Sequence, residues 1–589
     1  MRSKVKRIAA PVVLLALAGG CAAPPLGPRS DRIERSLVEG LLSELRDARE
    51  DAGPRPVERG EDEVQIDERF LDEVEALGGI DTYEEGTGDF GADLLGRPQR
   101  VATINLEQAI KAAAEHNLSL QFTRLDPAVA EAAVVRAEAV FDWVLFGDAT
   151  FSTLETQVIS GSAFQAARDT RDIFETSLGL RKQTRIGGTF AVEQEFRYTD
   201  VLTPDSPALT FTPDPAWETT FTIQGTQPLL RGFGTDVAQE ALLIARNDER
   251  EQVANVKAEA INVVTQVETA YWDLWQAHHT LRVLQRLVDR GEETRREVRI
   301  RAGFDADPAE VADADATVAD RRQTLRQAQT AVRDASDNLK VLMSDPRYPV
   351  GGTVLLAPVD TPVDQAIEYG YFDALQSALR RRPEMTQALL SLDSTAIRLR
   401  TAENGLLPRL DLNAQIEFFA LEDDLNTAFV EAWRQSRQSY IFGVDFELPI
   451  GNRDAEALRD ERRLQQWQAA IAYRNTVQDI TAQVNSSLRR VNLNYALIGD
   501  ASSTRRAAAE NLRVFNAQKE TTEINTPERL NLEFNRQDRL AAAEQSEAAA
   551  LADYVTSIAE LHAAMGTALE RNGIRFIVPD RDELLRERR

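Results

Sequence analysis

The chain is 589 residues long, enough for several ordinary domains, and strongly acidic, with a formal charge of −27. That field repels a phosphate backbone and excludes a basic nucleic-acid groove, and a single cysteine, Cys21, excludes a disulfide framework. Aromatic residues make up only 7% while Ala, Arg, Glu and Gln are plentiful, a composition that suits long helices.

At the amino terminus Arg2, Lys4, Lys6 and Arg7 form a basic start. Ile8 to Leu17 is an apolar run too short to span a bilayer, and Ala18-Gly19-Gly20 places small residues before Cys21. The pattern resembles a bacterial lipoprotein signal, which implies removal of residues 1–20 and lipidation of Cys21. The departure is Ala18, where such signals favour leucine; the alternative is ordinary cleavage that leaves a free thiol. Loss of the four basic residues takes the charge from −27 to −31. Residues 21–100 are acidic and rich in glycine and proline, and read as an N-terminal tether with little core of its own. Within it Ile33, Leu37, Leu41, Leu42 and Leu45 suggest one amphipathic helix. Gly86-Thr87-Gly88-Asp89-Phe90-Gly91 matches G-x-G-x-x-G in form, but no buried strand precedes it, so it reads as a solvated loop.

Helical spacing begins at Ile104, with Leu106, Ala109, Ile110 and Ala113 on one face, and a second helix runs from Pro127 towards Phe141–Phe146. The period then changes to two. Phe190, Val192, Phe196 and Tyr198 oppose Ala191, Glu193, Glu195 and Arg197; later, Leu410, Leu412, Ala414, Ile416 and Phe418 oppose Asp411, Asn413, Gln415 and Glu417. Tyr440, Phe442, Val444, Phe446 and Leu448 continue the pattern. Strands with one apolar and one charged face suit a membrane barrel with a wet lumen, and equally a soluble sheet with one solvated face.

The helices separate these readings. Asp236 to Arg301 holds no proline, and a helix of that span would be about 100 Å long. The return helix, Pro308 to Met343, covers about half of it, and the helix near Pro127 adds about 30 Å. The course is then repeated: Pro383 to Leu406, strands over 409–449, Asn452 to Glu523, Pro527 to Leu569. The strand-exit prolines Pro228 and Pro449 lie 221 residues apart and the hairpin-tip prolines Pro308 and Pro527 lie 219 apart, which marks a duplicated unit. Two short helices stacked on one long helix, twice over, make a tall wall. A few strands cannot close a barrel, and an open sheet edge cannot sit in lipid. Copies of the chain must complete it, most economically by cyclic symmetry.

This layout resembles the TolC-type outer-membrane efflux protein family over roughly residues 100–570. The resemblance is carried by the duplication, the strand-exit prolines, Gln227-Pro228-Leu229-Leu230-Arg231-Gly232-Phe233-Gly234, and Ala402-Glu403-Asn404-Gly405-Leu406-Leu407-Pro408. It implies a mostly α fold with a membrane β-barrel: a homotrimer whose shared barrel continues into a periplasmic coiled-coil tunnel. It also implies passive export in partnership with a periplasmic adaptor and an inner-membrane transporter. The domain reading is then 1–20 signal peptide, 21–100 tether, 101–343 first repeat with strands over 147–228, 344–382 connector, 383–570 second repeat, and 571–589 charged tail. Residues 147–228 exceed the family's usual strand pair; Gly187-Gly188 could turn an extra hairpin there and give the barrel more strands, the alternative being only a long surface loop. By the same resemblance a periplasmic gate is expected among Asp313, Asp315, Asp320, Asn531, Glu533 and Asp538, against the alternative of a solvated helix face for each. Adaptor contacts are expected at the tips: Gly303, Asp305, Asp307, Pro308, Thr526, Pro527 and Glu528. Asp307 before Pro308 and Thr526 before Pro527 also read as helix N-caps followed by N1 prolines. Pro228 and Pro449 are strand-to-helix hinges where sheet pairing should end.

No catalytic residue, cofactor or metal is expected. His116, His278, His279 and His562 are scattered on helices without metal-ligand spacing, and no nucleophile motif is present. The competing non-enzymatic reading is a lipid-anchored periplasmic coiled-coil scaffold without a channel, which leaves the recurring strands unexplained.

Overall fold

The computed structural model describes residues 66, 68–79, 90, 91, 96, 99–159, 166–203, 213–302, 307–434, 437–521, 526–578, 581 and 585, all within one unit. The signal-like run, Cys21, the expected helix at Ile33–Leu45, most of the Gly86–Gly91 loop, Gly303 and Asp305 lie outside the described residues.

Two helices dominate. α5 (Glu240–Arg301) has 62 residues and α10 (Arg453–Thr521) has 69, which makes them roughly 93 and 104 Å long. No proline interrupts either, and in α5 Val256, Ala260, Val263, Val264, Val267, Ala270, Tyr271 and Leu274 are buried at helical spacing. Along α5 pack α4 (Asp126–Glu138) and α6 (Pro308–Met343); along α10 pack α8 (Pro383–Gly405) and α11 (Pro527–Ala564). α8 and α11 also touch α5, so the two copies of the unit lie side by side. Among the described residues no helix is long and apolar enough to cross a membrane.

Six strands form one antiparallel sheet in the order β2 (Trp143–Ile159), β3 (Ala166–Gln183), β4 (Thr189–Thr203), β5 (Ala216–Pro228), β7 (Arg409–Glu422) and β8 (Gln438–Glu447). The first copy thus contributes four strands and the second two. β2 begins at Trp143, four residues before the expected 147, and the preceding helix does not reach Phe146. A 3-10 turn over Ala139–Phe141 ends at extended Asp142, and the run Trp143-Val144-Leu145-Phe146 is aromatic and branched, which favours a pleated surface over a helix. Between β7 and β8 lies a short helix, α9 (Leu425–Trp433), which periodicity did not suggest.

At mid-height, β1 (Arg100–Ile104) pairs in parallel with β6 (Val354–Pro358). α2 (Leu106–His116) follows β1 through a capping box in which Asn105 and Gln108 exchange hydrogen bonds. The buried Tyr271 hydroxyl lies 2.8 Å from the Asp360 carboxylate, and His278 Nε2 lies 3.0 Å from the Leu356 carbonyl. Residues 21–100, read as a tether, are in part docked structure: α1 (Leu71–Gly78) lies on α10 and α11. Val74 is buried with Ala509, Leu512 and Leu540, and Glu75 bridges Arg505 at 2.9 Å. One buried valine at the right place outweighs the acidic composition around it.

Candidate functional site

In an antiparallel pair, residues in register share a face. On one face an apolar row crosses the whole sheet: Leu145, Leu180, Val192, Ile223, Ile416 and Tyr440 are successive partners on the six strands. Towards the hairpin end an aromatic row, Phe151, Phe174, Tyr198 and Trp217, crosses four of them, and Asp172 and Asp200 lie just beyond. Towards the helices stand Trp143, Phe190 and Phe442. Trp143 to Phe151 spans nine residues, the length of a tilted membrane strand (about 9–11 residues). α9 rests on this apolar face through Phe429 against Phe196 and Trp433 against Phe221, with ring centroids 6.0 and 4.8 Å apart.

The opposite face is mostly polar, although Val144, Phe146, Ile173 and Ile441 also lie on it. Arg197 reaches Glu175 at 2.7 Å, Glu218 at 3.5 Å and Glu195 at 3.6 Å. Arg409 pairs with Asp411 at 2.6 Å, Gln415 donates to Glu417 at 2.6 Å, and the Ser177 hydroxyl donates to Asp148. The two faces of the sheet thus suit different surroundings, one apolar and one aqueous.

The strand exits are built by glycine and asparagine more than by proline. β5 and its ladder with β7 end at Pro228, opposite Asp411, and two further backbone bonds follow, from Leu229 N to Leu410 O at 2.8 Å and from Arg231 N to Pro408 O at 3.3 Å. Pro228 lacks an N–H but leaves its neighbours' bonds intact. The break comes at Gly232 and Gly234, with φ of +86° and +110°, held by the Asn404 side chain, which accepts from Gly232 N at 2.7 Å. At the second exit Gly451 (φ +93°) and Asn452 follow Pro449, and Asn452 Nδ2 donates to Leu406 O.

The gate candidates divide. Asp313, Asp320 and Asn531 are exposed. Asp315, Glu533 and Asp538 are engaged within the chain. Asp315 pairs with Arg299 at 2.7 Å. Glu533 accepts from Thr294 at 2.9 Å and from Lys519 at 3.1 Å. Asp538 accepts from Arg321 Nη2 at 2.7 Å and Nε at 3.0 Å. The organising residue is Arg321, which sequence reasoning passed over as one arginine among many. It is 4% exposed, lies over the Phe534 ring at 5.0 Å, and also donates to Gln537 Oε1 and to the Leu287 and Phe534 carbonyls. Burial pushes its pKa down, opposed by Asp538 and Glu533. Gly291 makes room for it: a Cβ there would stand 2.8 Å from Arg321 Nη1. Lys519 titrates above its ordinary range, because Glu297 and Glu533 outweigh the opposing effect of burial.

At the tips, Asp307 caps α6 by accepting from Ala309 N at 3.1 Å, with Pro308 following it. Thr526 holds the equivalent N-cap position before Pro527, but its side chain does not cap the backbone. The Glu528 carboxyl lies below its ordinary range, held first by its own backbone N–H and then by the Thr526 hydroxyl. Pro308, Pro527 and Glu528 are in the first turns of α6 and α11.

Two of the four histidines belong to the core, whereas His116 is half-exposed. His278 and His279 are buried, and desolvation lowers both to about 4. His562, between Tyr369 and Thr567, is lowered likewise to about 4.

Comparison with solved structures defines the fold. The Campylobacter jejuni CmeC outer membrane channel aligns over 85% of this chain and 94% of its own, with TM-score 0.58 and 14% identity. The open state of the Neisseria gonorrhoeae MtrE outer membrane channel aligns over 79% and 89%, with TM-score 0.56 and 18% identity. The outer membrane protein VceC of Vibrio cholerae aligns over 78% and 96%, with TM-score 0.54 and 15% identity. No family model and no curated protein matches the chain. The chain therefore has the fold of these outer membrane channels.

Proposed function

We propose that the protein is a passive outer-membrane exit duct. Three copies join their sheets into one barrel, and their helices form a water-filled tunnel on the periplasmic side. An inner-membrane transporter, through a periplasmic adaptor, delivers substrate into that tunnel. The observation that carries this reading is the two-faced sheet: an apolar row on all six strands, an ionic opposite face, and continuation into helices of about 100 Å. Lipidation of Cys21 would add an anchor in the same membrane.

Within this reading, Asp313, Asp320 and Asn531 are the candidates to narrow the periplasmic mouth. Asp315, Glu533 and Asp538 brace the coiled coils against each other instead. The adaptor meets the tips around Asp307, Pro308, Thr526, Pro527 and Glu528, together with Gly303 and Asp305. Acidic groups along a water-filled wall lower the energy of cations.

The test is fractionation combined with deletion of the gene. The duct reading expects an oligomer in the outer-membrane fraction that migrates as a trimer unheated and as a monomer after boiling, and export lost in the deletion strain. A monomer found only in the soluble periplasmic fraction, with export unaffected, contradicts it.

A further inference from the structure

A strand pair from each copy of the repeat would give four strands in the large sheet; among the described residues this sheet has six. We propose that the additional strands are staves of the wall itself, so that each copy contributes six and three copies close an eighteen-stranded barrel. This rests on the duct reading above and specifies the bore of that duct.

Three observations carry the proposal. First, the apolar row is continuous. Leu180 on β3 and Val192 on β4 sit in register between Leu145 on β2 and Ile223 on β5, at the same height as Ile416 on β7. A hairpin standing free in water has no use for an apolar face aligned with its neighbours'. The aromatic row follows the same rule, since Phe174 and Tyr198 lie between Phe151 and Trp217. Aromatic girdles mark the edges of a lipid-facing band.

Second, the β3–β4 turn is fastened at the helix end of the sheet. Thr184 N donates to Gly188 O at 2.7 Å to close it. Gly187 sits at φ +95°, and a Cβ there would stand 2.1 Å from the Gly232 carbonyl of the strand exit. The Ile186 carbonyl accepts from Gly234 N and from Gln227 Nε2, and Arg185 pairs with Glu138 at the end of α4 at 2.6 Å. The turn is therefore wedged between the two strand-helix junctions of the first repeat, where a stave must end.

Third, the edges fit closure by copies. β2 leaves the helices and β8 returns to them, so the two outer strands run in opposite directions. β8 of one copy can therefore pair antiparallel with β2 of the next, and no backbone edge is left in lipid. The even strand count preserves that relation, whereas an odd count would bring parallel edges together. With strands about 4.8 Å apart and tilted by roughly 40°, eighteen staves enclose a backbone cylinder about 36 Å across, against about 24 Å for twelve. The added staves also face the lumen with the Arg197 cluster of Glu175, Glu195 and Glu218, so the wider bore is ionic.

Electron cryomicroscopy of the full-length oligomer in lipid nanodiscs counts the staves directly. Six staves per copy, with β3 and β4 in the wall between β2 and β5, is the expected result. Four staves per copy, with the remaining strands projecting outside the wall, overturns the proposal and leaves the duct intact. A particle without any closed wall overturns the duct reading as well.

Discussion

Arg321 shows how a single residue sets the geometry of the helical hairpins. Its guanidinium is buried, and its donors reach a carboxylate, an amide and two main-chain carbonyls on two other helices. Arg321→Ala removes these bonds and the packing over Phe534, and should cost about 3 kcal/mol in thermal or denaturant melting. Asp538→Asn keeps a polar partner at a half-exposed position and should cost about 1 kcal/mol or less. Equal effects in the two variants would argue against the buried arginine as the organising group. His278 offers a second test at this scale. Desolvation lowers its pKa from 6.5 to about 4, so between these values the unfolded chain binds a proton that the native core refuses. The stability this provides is complete at neutral pH and is lost as pH falls from 6.5 towards 4. Relative to a His278→Gln variant, the wild type should lose on the order of 3 kcal/mol more across that interval. Parallel pH profiles for the two would contradict a buried neutral imidazole.

Among the elements, the turn joining β3 to β4 depends most on one residue type. Gly187→Val places a branched Cβ against the Gly232 carbonyl at a φ that L-residues avoid, and should destabilise the fold by at least about 2 kcal/mol. Gly351→Ala is the control. Its φ is +78°, but a Cβ there meets nothing within 4 Å, so only the conformational cost of about 1 kcal/mol applies. Thermal melting of the two purified variants compares them. The same turn illustrates what could be read from the sequence. Gly187-Gly188 within an overlong strand region was legible as a hairpin, because glycine pairs and alternating faces are local signals. The long helices were legible for the same reason. The pairing of β1 with β6 was not, because a five-residue parallel ladder joins segments some 250 residues apart and carries no local mark. Nor was the docking of α1, which depends on Val74 meeting Ala509, Leu512 and Leu540. The partners of the gate candidates were hidden for a related reason: spacing along a helix finds acidic side chains but not the arginine on another helix that pairs with Asp538.

The molecule as a whole is a two-phase object. Its sheet sorts side chains between an apolar and an ionic face, and its helices carry buried stripes along coiled-coil contacts with polar residues elsewhere. The duct account requires both faces of that sheet to be used at once, one against lipid and one against water. Its most direct test is single-channel recording from the purified full-length protein in planar lipid bilayers. The account predicts discrete, stepwise increases in conductance that favour cations, and loss of that preference when Glu175, Glu195 and Glu218 are replaced together by glutamine. Bilayers that stay silent with a protein that remains a monomer in detergent-free solution would contradict it.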